Sequence, residues 1–351
     1  MNDYILKPLD VVMLGEPAPF NSAEQTYRKS STIFNPIPFF AFLRKERKDV
    51  KISFISFIKN IKNGEFFFPL PFDVVEINGK CKFGRLVKSK NLFLSDSHDE
   101  YLITFGDGKL KTLDEYVDSY WLEKYLLCEE KLLIDERGML KTYRPYDSEY
   151  RVGIKINRER RTTEQGYLYF ENYLRFNDMK QTGFYIKTNH VISHKTVNIG
   201  GESRMAQIEK VSRDIDGEFV NQDKIKEKIK KTRLFKILLL TPTNSPCEIT
   251  GTKLIAKIVR RPYVYSGWLR KDNIAFPSRL FRLIKPGAVF YYKIEDKNLD
   301  VDSFIEKLFD KFWLKPSFFK SDFPYFESIE GTNPICLGLT IIGATEEAKD
   351  E

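Results

Sequence analysis

Cysteine and histidine, the side chains that most often carry metal or redox chemistry, are scarce in this sequence. The four cysteines (Cys81, Cys128, Cys247 and Cys336) lie far apart without a C-x-x-C pair, and only three residues are histidines. This spacing excludes the usual zinc and disulfide frameworks. We interpret the cysteines as small buried residues in a reducing compartment, and we expect neither a metal nor a cofactor.

Long apolar runs are also missing. No stretch approaches the roughly 18 consecutive apolar residues of a membrane span. The N-terminus carries Asp3 and Lys7 where a signal peptide would have an apolar segment. We therefore expect a cytoplasmic protein with no membrane partner. P-loop, nucleophile-elbow and Rossmann glycine patterns are absent as well, so the common nucleotide-hydrolase, esterase and dehydrogenase classes are not indicated.

What the chain has is size, aromatic content and positive charge. Its 351 residues exceed one ordinary core, and 42% hydrophobic with 14% aromatic residues can bury two. Lys and Arg number 57 against 49 Asp and Glu, a net charge of +8. This excess favours nucleic acid or another anionic surface as partner. The alternative is a basic protein with no such partner.

The order of apolar segments predicts an α+β protein with two similar halves. Each half opens with an apolar strand and closes with a glycine turn and a last strand, which fits a duplicated β-α-β-β-α-β plan, that is, two ferredoxin-like (RRM-like) domains with insertions. The boundaries predicted are 1–215 for the first domain, 216–232 for a charged linker or short exposed helix, 233–345 for the second domain and 346–351 for a frayed acidic tail. Strands are expected at 5–14, 234–240 and 288–294, a hairpin at 64–77, and helices at 39–48, 113–127 and 301–314.

A basic hairpin is predicted between Tyr150 and Phe176. Apolar residues alternate at Val152, Ile154 and Ile156, and the pattern resumes after a polar tip. Basic residues beside aromatic ones suit single-stranded RNA, because phosphates take the charges and bases stack on the rings. An equally weighted alternative is a hairpin whose arginines contact only water. The basic residues are Arg151, Lys155, Arg158, Arg160 and Arg161, against one acid, Glu159.

A second candidate RNA contact is the loop of Gly200, Gly201, Glu202, Ser203 and Arg204. Paired glycines allow positive φ and a close backbone approach. A serine hydroxyl, free amides and a guanidinium beside them suit the phosphates of a polyanion. We interpret this segment as a contact point for RNA and not as a catalytic loop.

His190 and His194 are the sharpest enzymatic candidates. On a helix their spacing would place both imidazoles on one face, as in zinc sites. The segment is instead β-branched, and it lacks the glutamate of H-E-x-x-H and an evident third ligand. One of the two could alternatively act as general base in a metal-free ribonuclease. Ordinary polar or RNA-contacting histidines are the preferred interpretation.

Several segments, taken in order, resemble the Cmr-three family of type III-B CRISPR–Cas effector complexes, a group-five-like branch of the RAMP superfamily. They are residues 151–176 (RVGIKINRERRTTEQGYLYFENYLRF), 198–206 (NIGGESRMA), 263–268 (YVYSGW) and 283–292 (LIKPGAVFYY). The resemblance matches residues 200–204 to the family's glycine-rich loop, and Arg151, the 153–155 strand, Arg158, Arg160, Arg161 and Gly166 to its basic hairpin. Two departures are Gly15, where the family commonly has Arg, and a C-terminal loop with only Gly338 and Gly343.

The resemblance implies a non-catalytic, architectural RNA-binding subunit used in antiviral defence. It would hold the 5′ handle of the CRISPR RNA, dock a Cas10-type large subunit, and adjoin the backbone RAMP subunits with target RNA in the assembled complex. The alternative is a RAMP endoribonuclease that cuts repeat RNA with His190 or His194 as base. A protein-only scaffold with an acidic partner is a third possibility.

Overall fold

A computed structural model describes residues 1–14, 27–46, 49–59, 64–88, 101–178, 181–213, 215–244, 246, 248–265, 268–271, 274–277, 280–296, 299–319 and 335–350. Its helices are α1 (Ile37–Glu46), α2 (Ser119–Leu126), α3 (Gln222–Thr232) and α4 (Val301–Phe312). The strands are β1 (Asn2–Pro8), β2 (Tyr27–Lys29), β3 (Ile52–Lys59), β4 (Glu65–Pro69), β5 (Val74–Ile77), β6 (Lys80–Phe83), β7 (Arg85–Lys88), β8 (Tyr101–Thr104), β9 (Leu110–Thr112), β10 (Tyr116–Asp118), β11 (Tyr146–Asn157), β12 (Thr162–Phe176), β13 (Gly183–Thr188), β14 (Thr196–Asn198), β15 (Met205–Val211), β16 (Leu234–Leu239), β17 (Thr252–Ile258), β18 (Tyr263–Tyr265), β19 (Trp268–Lys271), β20 (Ile274–Pro277), β21 (Phe281–Leu283), β22 (Val289–Ile294), β23 (Lys315–Pro316), β24 (Leu339–Ala344) and β25 (Lys349–Asp350). The mixed α+β class is confirmed.

The first half is built on a seven-stranded sheet in the order β10-β4-β3-β13-β1-β15-β14. β1 lies between β13 and β15 and is antiparallel to both. Its Tyr4, Ile5 and Leu6 are buried, as expected of a central strand. The predicted bounds of this strand were wrong, because it ends at Pro8 and residues 12 and 13 form only isolated bridges.

The second half is built on a five-stranded sheet in the order β17-β22-β16-β24-β23. All six residues of β16 are buried, which confirms the apolar run predicted as a core strand. α4 confirms the predicted helix: Asp300 caps it by accepting hydrogen bonds from the amides of Asp302 and Ser303. The apolar positions of α4 at helical spacing face the core.

Each half has one of the two helices expected of a β-α-β-β-α-β unit. The central strand orders are β15-β1-β13-β3 and β24-β16-β22-β17. In the first half α1 lies between β1 and β3, but residues 189–204, between β13 and β15, contain no helix. In the second half α4 lies between β22 and β24, whereas the described residues between β16 and β17 contain none. In the first half the place of the missing helix is taken by a segment that contains β14 and the glycine-rich turn.

Pairing between distant strands changes two other predictions. β4 joins the large sheet while β5 pairs with β6 and β9, so residues 64–77 are not a hairpin. The helix predicted over 113–127 begins at Ser119, because residues 116–118 pair with β4 and Asp118 accepts a hydrogen bond from the Trp121 amide at 2.7 Å.

The charged segment after β15 and the C-terminal tail also have regular structure. Residues 222–232, within the segment expected to be a linker or short exposed helix, form α3, with Ile225 and Ile229 fully buried. In the tail, Lys349 and Asp350 form β25, which pairs in parallel with β7.

The two halves share one continuous hydrophobic core. A buried polar group also joins them: the Asp73 carboxylate accepts hydrogen bonds from the Tyr125 and Tyr291 hydroxyls, both at 2.6 Å. Nearby, the Phe72 amide donates to the Gly287 carbonyl at 2.7 Å. The Arg260 guanidinium lies 4.0 Å from the centre of the Phe72 ring. The halves therefore pack as one body.

The predictions of no membrane span and of buried cysteines can also be compared with the described part of the chain. None of its helices has the length and apolar character needed to cross a bilayer. Cys81 and Cys336 are buried and Cys128 is half-buried, all as free thiols, and Cys247 lies outside the described residues. Buried cysteines thus contribute packing, as the sequence indicates.

Candidate nucleic-acid interface

β11 and β12 form a long antiparallel hairpin with a basic turn at its end. Arg151 lies opposite Glu171 and Val152 opposite Phe170, and the register shifts between Ile154 and Ile156. In the turn, the Asn157 side-chain oxygen accepts hydrogen bonds from the amides of Glu159 and Arg160, at 3.1 and 3.0 Å. The exposed turn residues are Arg158, Glu159, Arg160 and Arg161.

The hairpin has one polar and one apolar face, because successive strand residues point to opposite sides. On the apolar face, side chains near the base, such as Leu174 and Phe176, belong to the core. Farther out, Tyr150 is 66% exposed and Val152 is 61% exposed. We call the outer part the distal apolar face; it comprises Tyr150, Val152, Ile154, Ile156, Leu168 and Phe170, all exposed.

The glycine-rich segment is a tight turn between β14 and β15. Gly200 has φ of +70°, and Glu202 and Ser203 are also left-handed, with φ of 58° and 51°. The Arg204 amide faces the Gly201 carbonyl at 3.4 Å. Two consecutive left-handed residues are the mark of a type I′ hairpin turn, which normally selects Asn and Gly. Glu and Ser at these positions store backbone strain beside the candidate site.

A short segment of backbone joins this turn to the hairpin. Val12 exchanges two hydrogen bonds with Leu174 of β12, each 2.9 Å long. The next residue, Met13, accepts a hydrogen bond from the Gly201 amide at 2.8 Å. A Cβ at Gly200 would lie 2.0 Å from the Met13 carbonyl oxygen, so only glycine permits this approach. The expectation that the loop amides are free for phosphate is wrong for Gly201.

Through this connection three arginines meet around one tyrosine and two acids. We call this group the arginine cluster; it comprises Arg151, Arg175 and Arg204 with Tyr173, Asp10 and Glu149. The Tyr173 ring is 2% exposed, and two guanidiniums lie against it: that of Arg204 is 4.5 Å and that of Arg151 is 5.2 Å from the ring centre. Such cation–π contacts hold the planar groups in fixed positions.

The two acids bind the arginines differently. Glu149 accepts a hydrogen bond from Arg151 Nε at 2.8 Å and another from Arg175 Nε. Asp10 faces all three guanidiniums, at 3.2 Å from Arg151 Nη2 and 3.4 Å from both Arg175 Nη2 and Arg204 Nη1. Glu149 is therefore a close partner of two arginines, and Asp10 is a looser partner of three.

The ionisation of both acids follows from these contacts. The Arg175 hydrogen bond, helped by Arg151 and opposed by burial, lowers the pKa of Glu149 to about 2. Burial alone would raise the pKa of Asp10, but the Val11 amide and the arginines together bring it below its ordinary value. Both carboxylates are charged at neutral pH, so they offset most of the positive charge of the cluster.

The lowered pKa of Glu149 predicts sensitivity to acid. A carboxylate with a depressed pKa in the folded chain contributes stability that is present above its unfolded value, 4.5, and is lost as pH falls towards about 2. We expect the urea midpoint of the wild type to drop over this interval. Glu149→Gln should start lower at pH 7 and fall less steeply. Parallel pH profiles of the two proteins would contradict the assignment.

The structure thus brings together some predicted site residues and separates others. Arg151 and Arg204 lie in one cluster with the turn at residues 200–203. Arg158, Arg160 and Arg161 lie at the far end of the hairpin, and Lys155 is exposed between the two places. Sequence reasoning missed four members of the cluster: Asp10, Glu149, Tyr173 and Arg175. The hairpin register could have revealed the last three, whereas nothing local marks Asp10.

The two histidines lie in the loop between β13 and β14. Residues 189–195 are not helical, so the spacing of His190 and His194 does not place them on one helix face. The His190 amide donates to the Thr188 hydroxyl at 3.2 Å, and the His194 side chain is exposed. Within the described ranges no group of three or more His, Cys, Asp or Glu side chains could hold a metal ion.

Comparison with known proteins identifies related chains. The family model of the CRISPR-associated protein Cas_Cmr3 matches residues 50–312. A chain from a cryo-EM structure of the Type III-B Cmr-beta bound to cognate target RNA and AMPPnP is 18% identical, with a TM-score of 0.49 and coverage of 93% of this chain and 92% of that one. A chain from the complex bound to cognate target RNA is 18% identical, with a TM-score of 0.47 and coverage of 82% and 86%.

A more distant match is a chain of the Csm3–Csm4 subcomplex of the type III-A CRISPR–Cas interference complex. It is 12% identical, with a TM-score of 0.37 and coverage of 84% and 94%. Comparison with curated proteins gives no match.

The two large antiparallel sheets, together with α1 to α4, make this an α+β protein. Because the family model spans well over half of the sequence, the chain belongs to the Cas_Cmr3 family of CRISPR-associated proteins.

Proposed function

We propose that this chain is a non-catalytic RNA-binding subunit of a type III-B effector complex. In this proposal it holds the 5′ handle of the CRISPR RNA, docks a Cas10-type large subunit and adjoins the backbone RAMP subunits. Both halves would be divergent ferredoxin-like domains, each with one helix replaced by a loop. Family membership supports the assignment to the complex.

The observation that carries RNA binding is the meeting of two separate basic elements. Arg151 of the hairpin and Arg204 of the glycine-rich turn both lie against the Tyr173 ring, and both contact the Asp10 carboxylate. The same hairpin ends in three exposed arginines. A nucleic-acid backbone that runs along the hairpin, from the arginine cluster to the turn at residues 158–161, would meet guanidiniums at both ends. Guanidiniums bind phosphate in a fixed, bidentate geometry.

Replacing Arg160 and Arg204 together by alanine tests this proposal. Each substitution removes one guanidinium that would contact the RNA backbone. We therefore expect the double variant to bind handle RNA about 30- to 100-fold more weakly than the wild type at fixed salt. The slope of log affinity against log salt should fall by about 1.4, that is, about 0.7 for each phosphate of a single strand that is no longer neutralised. Fluorescence anisotropy with labelled repeat-derived RNA measures both quantities.

A matched control removes the same charge from another part of the chain. Lys226 and Lys230 lie on α3 and form exposed ion pairs with Glu306 and Asp302. The Lys226→Ala/Lys230→Ala variant should bind RNA nearly as well as the wild type. Equal losses in the two double variants would mean that only net charge matters. Cleavage of the RNA that disappears in His194→Ala would instead favour the endoribonuclease alternative.

A further inference from the structure

The Asp10 carboxylate is the point at which the three guanidiniums of the arginine cluster converge. Arg151 and Arg175 come from the two strands of the hairpin, and Arg204 comes from the glycine-rich turn. Asp10 itself lies in a bend beyond the end of β1. Elements from distant parts of the sequence therefore place three fixed cations around one small anion.

The hydrogen bonds to this anion are long. Those to Asp10 measure 3.2 to 3.4 Å, whereas bonds between guanidinium and carboxylate groups are usually about 2.7 to 2.9 Å. Within the same cluster Arg151 reaches Glu149 at 2.8 Å. Asp10 is thus a weak hydrogen-bond acceptor, and the three guanidiniums around it could donate shorter hydrogen bonds to another anion in the same place.

Arg204 has unused hydrogen-bonding capacity. Its Nη1 meets Asp10 at 3.4 Å, while its Nε is buried and, among the described residues, has no hydrogen-bond partner. The Tyr173 ring, 4.5 Å away, supports the guanidinium plane independently of Asp10. Displacing the Asp10 carboxylate would therefore leave Arg204 in place with donors available to a new ligand.

A ligand can reach this position. The side chains of Asp10, Arg175 and Arg151 are 45%, 40% and 35% exposed. By contrast, Tyr173, which supports the cluster from below, is buried with Val11 and Met13. The cluster therefore has a buried base and a solvent-exposed side.

We propose that Asp10 occupies the place of an RNA phosphate, and that Arg151, Arg175 and Arg204 form one phosphodiester-binding site that RNA enters by displacing the Asp10 carboxylate. This inference rests on the RNA-binding function proposed above and adds Arg175 to the site. In the RNA-free chain Asp10 relieves the repulsion among three like charges. Asp10 also competes with any anion for the three arginines. Anions that bind weakly are therefore excluded from the site.

A phosphodiester fits this position better than an acidic side chain of a protein partner. A second carboxylate would be planar with two oxygens, like Asp10 itself, and would gain little by the exchange. The two non-bridging oxygens of a phosphodiester are carried on a tetrahedral phosphorus and share one full negative charge, so they can accept hydrogen bonds from guanidiniums that approach from three elements. Its neighbours along an RNA backbone would also meet the arginines at the end of the hairpin.

The Asp10→Asn substitution in the full chain tests the proposal through a gain of affinity. Removing the competing charge while keeping the shape should make labelled 5′-handle RNA bind roughly tenfold more tightly, the order expected for one charge-assisted hydrogen bond. Asp302→Asn is the control, because it also removes one negative charge, from a side chain on α4 that is 67% exposed. It should change the affinity for RNA less than twofold. Adding Arg204→Ala to Asp10→Asn should abolish most of the gain.

The outcomes separate this inference from the proposed function. If the wild type binds handle RNA and Asp10→Asn binds it equally or more weakly, the phosphate site is wrong and RNA binding stands. If neither protein binds RNA in the chain or in the assembled complex, both proposals fail. If Asp10→Asn leaves RNA affinity unchanged but strengthens binding of the large subunit without RNA, the cluster receives an acidic protein surface instead.

Discussion

Replacing Gly200 with alanine is expected to destabilise the chain by about 3 kcal/mol or more and, under the RNA-binding function proposed above, to abolish tight binding of handle RNA. Two costs add. The residue has φ of +70°, which penalises any side chain by about 1 to 2 kcal/mol. The new Cβ would also lie 2.0 Å from the Met13 carbonyl oxygen, so the bridge between the glycine-rich turn and the hairpin must open. Urea denaturation and RNA anisotropy on the same preparation measure the two effects.

Gly79 offers a matched control for the conformational part of this cost. Its φ is +73°, and a Cβ there would have no atom within 4 Å. Gly79→Ala should therefore cost only about 1 to 2 kcal/mol and, under the proposed function, leave RNA binding unchanged. If the two alanine variants lost the same stability, the close approach to Met13 would not be what fixes Gly200.

Replacing Asp73 with alanine is expected to cost about 4 kcal/mol, because it leaves buried polar groups without a partner. The carboxylate is 2% exposed and accepts hydrogen bonds from Tyr125 and Tyr291, one from each half of the chain. Burial first, and then the Asp73 charge, raises the pKa of both hydroxyls well above the ordinary value, so they remain donors. The urea midpoint of the variant measures the loss.

A double-mutant cycle shows whether the hydrogen bonds are responsible. Tyr291→Phe alone should cost about 1.5 kcal/mol. In the Asp73→Ala background the same change should cost much less, because its acceptor is already gone. Additive losses would mean that the effect of Asp73 comes from packing.

Elements with strong local signals could be predicted from the sequence. α4 has apolar residues at helical spacing after a capping aspartate, and β16 is an uninterrupted apolar run. Both depend on nearby residues alone. α3 carried a similar signal, since Ile225 and Ile229 lie one helical turn apart, but its many lysines favoured a solvated linker or exposed helix.

Elements and contacts that depend on pairing between segments far apart in the sequence could not be predicted from local sequence. Residues 116–118 form a strand because β4 is available beside them, although their sequence also suits the start of a helix. In the candidate site, Arg151 and Arg204 were found because basic and glycine-rich segments are visible in a sequence. Asp10 was missed, since its role arises only when β1 ends beside β12 and the glycine-rich turn.

The distal apolar face affects how long an unassembled copy of the chain stays soluble and intact. Six large apolar side chains are exposed there, and within the described residues β11 is an edge strand of its sheet. A surface of this kind promotes self-association through strand edges and apolar contacts. Under the proposed function, a copy made in excess of its partner subunits would therefore be lost to aggregation or degradation. In that case the hairpin would help to match the amount of this chain to the number of assembled complexes.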